Sequence, residues 1–148
     1  MTNNQERKPS GSMVLRTLAM PADTNANGDI FGGWLMSQMD LGGAILAKEI
    51  VKGRVVTVCV DKMVFLHPVS VGDVICCYGQ CTRVGRSSLE VKVEVWNKKI
   101  HDGSGIRQCV TEALFTYVAI DDKGKPRMIP RENNPELEQA LALISPSN

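Results

Sequence analysis

Asp40 is the residue whose type and position most ask for chemistry. It stands inside the run from Gly33 to Val51, GWLMSQMDLGGAILAKEIV, which carries no other charge until Lys48. A carboxylate in such a setting is costly unless it is solvated, paired or put to use. Its helical neighbours at i−4 and i+4 are Met36 and Ala44, so no local cation pairs with it. Its open roles are a general base that activates water, a nucleophile, or a structural carboxylate hydrogen-bonded at an interface between chains. Upstream lies Asn25-Ala26-Asn27-Gly28-Asp29, dense in residues that make Asx turns or tolerate positive φ, followed by Gly32-Gly33. A helix that starts at those glycines presents unpartnered N–H groups and a positive dipole end. The glycines serve equally well as a plain helix-entry turn, and Asn25 as an ordinary Asx-turn residue.

The other candidates are weaker. Asp61 is the rival carboxylate, with an ion pair to Lys or Arg across an interface as its expected role. His67, before Pro68, reads as a strand-end residue. The five cysteines, Cys59, Cys76, Cys77, Cys81 and Cys109, form no C-x-x-C pair and have no histidine at zinc spacing. They are expected to be reduced, buried core thiols of a cytosolic protein. None has a visible setting that would make it a nucleophile.

The elements that must position Asp40 follow from periodicity and punctuation. The chain has 148 residues, 43% hydrophobic and 22% charged with net charge +1, so it reads as one ordinary domain with no bulk signal for nucleic acid or a membrane surface. Residues 1–12 are polar and read as a disordered arm, 13–144 as the domain, and 145–148 as a tail. A first strand is expected over Met13–Met20, then a loop, then a helix over Gly33–Val51 with Leu35, Met39, Leu46 and Ile50 on one stripe. Trp34, Met36, Leu41, Ala44 and Ile45 widen the apolar surface, which predicts burial on most sides. Gly42 and Gly43 each cost about 1 kcal/mol of helix propensity, a cost that close approach of another backbone offsets. Lys52-Gly53 is expected to end the helix with a glycine cap.

From Arg54 the texture is β, with strands expected over Val55–Leu66, Val74–Val84, Ser87–Asn97 and Arg107–Ile120. In the third of these, Leu89, Val91, Val93 and Val95 alternate with Glu90, Lys92 and Glu94, which predicts a half-exposed strand. Asn134, Pro135 and Glu136 open a short amphipathic helix to about Ile144. This order is α+β, a long helix wrapped by a curved antiparallel sheet.

Four motifs in sequence carry a family likeness: Asn25-x-x-Gly28-Asp29-x-Phe31-Gly32-Gly33-Trp34, Met39-Asp40-x-x-Gly43, Phe65-x-x-Pro68-Val69-x-x-Gly72-Asp73 and Gly85-Arg86-Ser87-Ser88. Over roughly Met13 to Ile144 the chain resembles the hotdog-fold acyl-CoA thioesterases, in particular the bacterial short-chain-type subgroup often called YciA. The resemblance implies a hotdog fold, dimers joined edge to edge and assembled into hexamers, and hydrolysis of acyl-CoA without metal or cofactor. It implies catalytic roles for Asp40, for Asn25 and for the Gly33 N–H as oxyanion donor, with Phe31 and Gly32 beside the substrate.

Coenzyme A carries a diphosphate and a 3′-phosphate, which basic residues and turn N–H groups recognise. Gly85-Arg86-Ser87-Ser88 fits that need, with Arg54 and Arg83 secondary. Met36, Met39 and Met63 are soft enough to line a pocket, although core packing explains them as well. Gly33 and Asp40 are seven residues apart, about 10.5 Å along a helix, too far to serve one reacting carbon together. Asp40 is therefore expected to serve the site whose Gly33 belongs to a neighbouring subunit. Two rival functions are a hotdog dehydratase or hydratase, disfavoured because the loop has no histidine, and a non-catalytic acyl-CoA sensor, disfavoured because the acid is present.

Overall fold

The computed structural model describes residues 7–100, 103 and 105–144. The elements run β1 (Ser12–Leu18), a single 3-10 turn (Pro21–Asp23), α1 (Gly32–Val51), β2 (Val55–Phe65), β3 (Val74–Val84), β4 (Ser88–Lys98), β5 (Arg107–Ala119) and α2 (Pro135–Leu143). The strands form one antiparallel sheet in the order β1-β3-β4-β5-β2, so β1 and β2 are its edges. The β-rich texture and turn residues place these boundaries within two residues of the sequence expectation.

The valines of β4 face α1, with Val91, Val93 and Val95 fully buried beside Leu35, Met39, Ala47 and Ile50. The opposite face of β4 is only partly exposed. Glu94 is 1% exposed there, held by the Trp96 Nε1–H at 2.9 Å, the Ser10 N–H at 3.1 Å, Lys92 and Arg7. Desolvation opposes that charge, but the donors outweigh it and hold the carboxyl below its usual range. The segment from Arg7 to Ser10 thus lies against the sheet, while residues 1–6 and 145–148 lie outside the described residues. His101 does as well.

Three expectations about α1 are corrected. Met36, Leu41 and Ile45 are exposed at 39%, 56% and 45%, because the sheet of one chain covers only one side of the helix. The paired glycines meet side chains rather than backbone. A Cβ at Gly42 would stand 2.8 Å from Val14 Cγ2, and one at Gly43 2.4 Å from the Tyr117 hydroxyl oxygen. At the helix end the left-handed residue is Lys52, at φ 61°, not Gly53. Gly53 instead leaves room for the Arg127 guanidinium, which donates to the Val51 carbonyl at 2.8 Å. The second helix starts as expected, with Asn134 accepting from the Leu137 N–H and Pro135 in the first turn.

All five cysteines are free, but Cys59 is exposed on edge strand β2 and departs from the buried expectation. Burial pushes the Cys77 thiol up to about 12 and those of Cys81 and Cys109 to about 11. Such thiols stay protonated near neutrality.

Candidate active site

The loop ahead of α1 folds as its composition dictates. Asn25 Oδ1 accepts the N–H groups of Asn27 at 2.9 Å and Asp29 at 3.2 Å, an Asx turn. Because both partners are donors, the amide oxygen must face the loop. The Asn25 Nδ2 group is then left pointing away from it, with no hydrogen-bond partner among the described residues. The Phe31 N–H donates to the Asp23 carbonyl and the Ile30 N–H to the Val69 carbonyl, which ties the loop to the strand connection beside it.

At the first turn of α1, Phe31 occupies the cap position without a capping side chain, and the turn contains no acidic residue. Its carbonyl accepts from the N–H groups of Trp34 and Leu35. No hydrogen bond to the Gly32 or Gly33 N–H occurs among the described residues, so the helix presents both as donors with its positive dipole end. Gly32 is closely approached, since a Cβ there would stand 3.0 Å from the Phe65 ring. Gly33 has open space apart from the Phe31 ring at 3.4 Å.

Beside this turn lies a cavity of about 400 Å³ lined by Ile30, Gly32, Leu35, Phe65, His67 and Val69, among others. Its walls are mainly apolar, which suits an acyl chain better than a phosphate. None of Met36, Met39 and Met63 lines it. A larger cleft of about 580 Å³, with Arg7, Trp96 and Arg107 in its lining, lies away from Asp40.

Asp40 is half-buried in the middle of α1. Its Oδ1 accepts the Thr57 hydroxyl at 2.7 Å and the Tyr117 hydroxyl at 3.1 Å. The Tyr117 hydroxyl also lies 3.1 Å from the Asp40 carbonyl oxygen. Asp40 Oδ2 has no donor among the described residues, and no buried side-chain oxygen there lacks a partner, so Oδ2 is open to solvent. No cation forms an ion pair with Asp40 among the described residues. Tyr117 is fully buried, and that burial, then the Asp40 charge, raises its phenol well above the ordinary range. It therefore remains a donor at any pH the fold meets.

Thr57 and Tyr117 are absent from the sequence-based candidates. A threonine and a tyrosine in strands read as pattern residues. The available hints were an acid without a local cation and a glycine at position 43 that had to admit something.

The expected phosphate-binding residues gather at one end of the sheet. The Ala119 N–H donates to the Ser87 carbonyl and the Ile120 N–H to the Arg54 carbonyl, so Arg54 and Ser87 flank the end of β5. Gly85 and Ser88 close the hairpin, with the Gly85 N–H donating to the Ser88 carbonyl at 2.7 Å. Arg86 is exposed there, and Arg131 donates to the Gly85 carbonyl at 2.7 Å. Arg54 donates to the Asp121 and Asp122 carbonyls at 3.4 Å. Arg83 is turned to Glu90 at 3.9 Å. Asp61, on β2, accepts its own neighbour's N–H, that of Lys62, and has no ion pair among the described residues.

Two groups of residues thus stand apart. Asn25, Phe31, Gly32, Gly33 and the cavity lie at the N-terminal end of α1. Arg54 and the Gly85–Ser88 hairpin lie near its C-terminal end, where Arg127 holds the Val51 carbonyl and the Ile129 N–H donates to the Arg86 carbonyl. The helix between them has 20 residues, about 30 Å at 1.5 Å each. Asp40 lies between them on α1, seven residues (about 10.5 Å) from Gly33 and eleven (about 16.5 Å) from Val51, with its carboxylate on Thr57 and Tyr117, which are three and two residues from Arg54 and Ala119.

Comparison with known proteins gives a consistent result. Residues 27–104 match the family described as the thioesterase superfamily. An uncharacterized acyl-CoA thioester hydrolase of Haemophilus influenzae is 67% identical over 145 residues, covering 97% of this chain and 94% of the relative. The acyl-CoA thioester hydrolase YciA of Escherichia coli K12 is 66% identical over 125 residues, covering 84% of this chain and 95% of the relative. Among solved structures, the hexameric broad-specificity acyl-coenzyme A thioesterase HI0827 superposes with a TM-score of 0.90 at 68% identity, covering 95% of this chain and 96% of that one.

Proposed function

The chain belongs to the thioesterase superfamily, and on that premise we propose that it is an acyl-CoA thioester hydrolase whose active site is shared between two subunits. The observation that supports the sharing is the separation of the Gly33 N–H from Asp40 by seven residues of one continuous helix, about 10.5 Å, too far to serve one reacting carbon together. In the fold, β2 is an edge strand. Antiparallel pairing of two copies along β2 about a two-fold axis brings the Phe65 end of one chain to the Arg54 end of the other. Each complete site then has Asn25, the Gly33 N–H and the apolar cavity from one chain, and Asp40 with the cationic hairpin end from its mate. Assembly of such dimers into a hexamer, the state of HI0827, is part of the same proposal.

In the reaction, the Gly33 N–H receives the thioester carbonyl oxygen as it gains charge. Asp40 Oδ2 assists attack by one of two routes. As a base, it takes a proton from the water that adds to the carbonyl carbon. As a nucleophile, it adds itself and forms a mixed anhydride that water then opens. In both, the carbon–sulfur bond breaks and the coenzyme A thiolate takes up a proton, leaving a free carboxylic acid. Oxygen labelling in a single turnover detects the nucleophilic route, because water that opens the anhydride at the Asp40 carboxyl carbon leaves its label in Asp40.

The proposed reaction requires no metal or cofactor. The free thiols suit a reducing, cytoplasmic setting. No helix among the described residues is long and apolar enough to cross a membrane. The test is thiol release from acetyl- through palmitoyl-CoA. The wild type is expected to release thiol before and after exhaustive chelation, and Asp40→Asn to lower kcat by about 10²-fold or more. Undiminished release by Asp40→Asn would overturn the assignment.

A further inference from the structure

The hydroxyls of Thr57 and Tyr117 take no direct part in the reaction derived above, yet both end on the same oxygen of Asp40. We propose that they are positioning residues: they hold Asp40 Oδ1, from β2 and β5 respectively, so that Oδ2 is the oxygen that works on water or substrate. The inference rests on the reading of Asp40 as the group that assists attack.

The terminal torsion of an aspartate is broad and two-fold, so an unheld carboxylate presents either oxygen in varied orientations. Here Oδ1 accepts from Thr57 at 2.7 Å and from Tyr117 at 3.1 Å, while Oδ2 has no protein donor among the described residues. The phenol has a single proton and two acceptors within 3.1 Å, the Asp40 carbonyl and Oδ1. A backbone carbonyl inside a helix is already engaged by its own ladder. The ionised carboxylate is the stronger acceptor, so the proton goes to Oδ1. Gly43 is the second sign that this contact is built, because any side chain at that position would meet the Tyr117 hydroxyl oxygen at 2.4 Å. A glycine in the middle of a helix, costly by propensity, is what allows the phenol to reach Asp40.

The groups facing the carboxylate are the hydroxyls of Thr57 and Tyr117. Among the described residues no Lys, Arg or His pairs with it. Removing either hydroxyl takes a donor from Oδ1 and leaves the carboxylate freer to turn.

The experiment is steady-state kinetics, with one acyl-CoA, on the wild type, Thr57→Val, Thr57→Ser, Tyr117→Phe and Asp40→Asn. Thr57→Val and Tyr117→Phe are each expected to lower kcat about tenfold, as loss of one hydrogen bond to a charged group implies, with KM changed less than about twofold. Thr57→Ser restores kcat. If kcat stays at the wild-type value in both variants while Asp40→Asn is inactive, the inference fails and the reading of Asp40 stands. If Asp40→Asn is active, both fail. Should Tyr117→Phe not fold, exposed Thr57 decides the matter alone.

Discussion

Arg86 is exposed at the tip of the β3–β4 hairpin with its main chain held from two sides, by the Ile129 N–H on its own carbonyl and by Arg131 on the Gly85 carbonyl. A guanidinium on so fixed a turn suits recognition of a phosphate that does not itself react. Binding contributed equally to ground and transition states appears in KM and leaves kcat alone. Arg86→Ala is therefore expected to raise KM for acyl-CoA about tenfold at low ionic strength with kcat within about twofold, and the effect is expected to shrink as salt is added. An unchanged KM at low salt would remove Arg86 from the substrate contacts. This residue was legible in the sequence because a glycine-led hairpin announces itself locally. Asp40 was legible for a similar reason, as an acid in an apolar run without a cation one turn away. Thr57 and Tyr117 were not, because their meaning lies in a contact between elements 17 and 77 residues apart from Asp40, which no local pattern encodes.

At the scale of the element, α1 is the part whose sequence was read most nearly right and whose surroundings were read least well. Its stripe of Leu35, Met39 and Ile50 does face the sheet. The exposed Leu41 and Ile45 show that apolar width on a helix does not tell how many partners cover it within one chain. The two glycines signal close approach in the sequence, and in the fold the approach is to side chains. Gly43→Ala makes the distinction measurable. Alanine gains about 1 kcal/mol of helix propensity. Against that, its Cβ meets a fully buried phenol and stands only 3.2 Å from Val93 Cγ2, and overpacking of this kind costs about 1–3 kcal/mol. The clash outweighs the gain, so Gly43→Ala is expected to lower Tm. In a Tyr117→Phe background the 2.4 Å contact is gone and only contacts at 3.2 Å remain, so the same substitution is expected to cost less. Equal losses in the two backgrounds would mean that the hydroxyl is not what Gly43 accommodates.

At the scale of the whole molecule, the central claim is that one chain carries two halves of different sites. The sequence hinted at this through the seven-residue spacing of Gly33 and Asp40, and in the fold both residues lie on one continuous helix, which keeps them about 10.5 Å apart. Val56, Val58 and Val60 are exposed on edge strand β2, the strand along which the proposed dimer pairs. The most direct test is complementation between two inactive chains, Asp40→Asn and Gly33→Pro, the latter removing the N–H within the first helical turn, where proline is best tolerated. If sites are shared, a mixed dimer has one site carrying both lesions and one carrying none. Equal co-expression with random pairing then restores about one quarter of wild-type activity. If each site is built from a single chain, every site in every mixture is damaged, and activity no greater than the sum of the two parents would contradict the account.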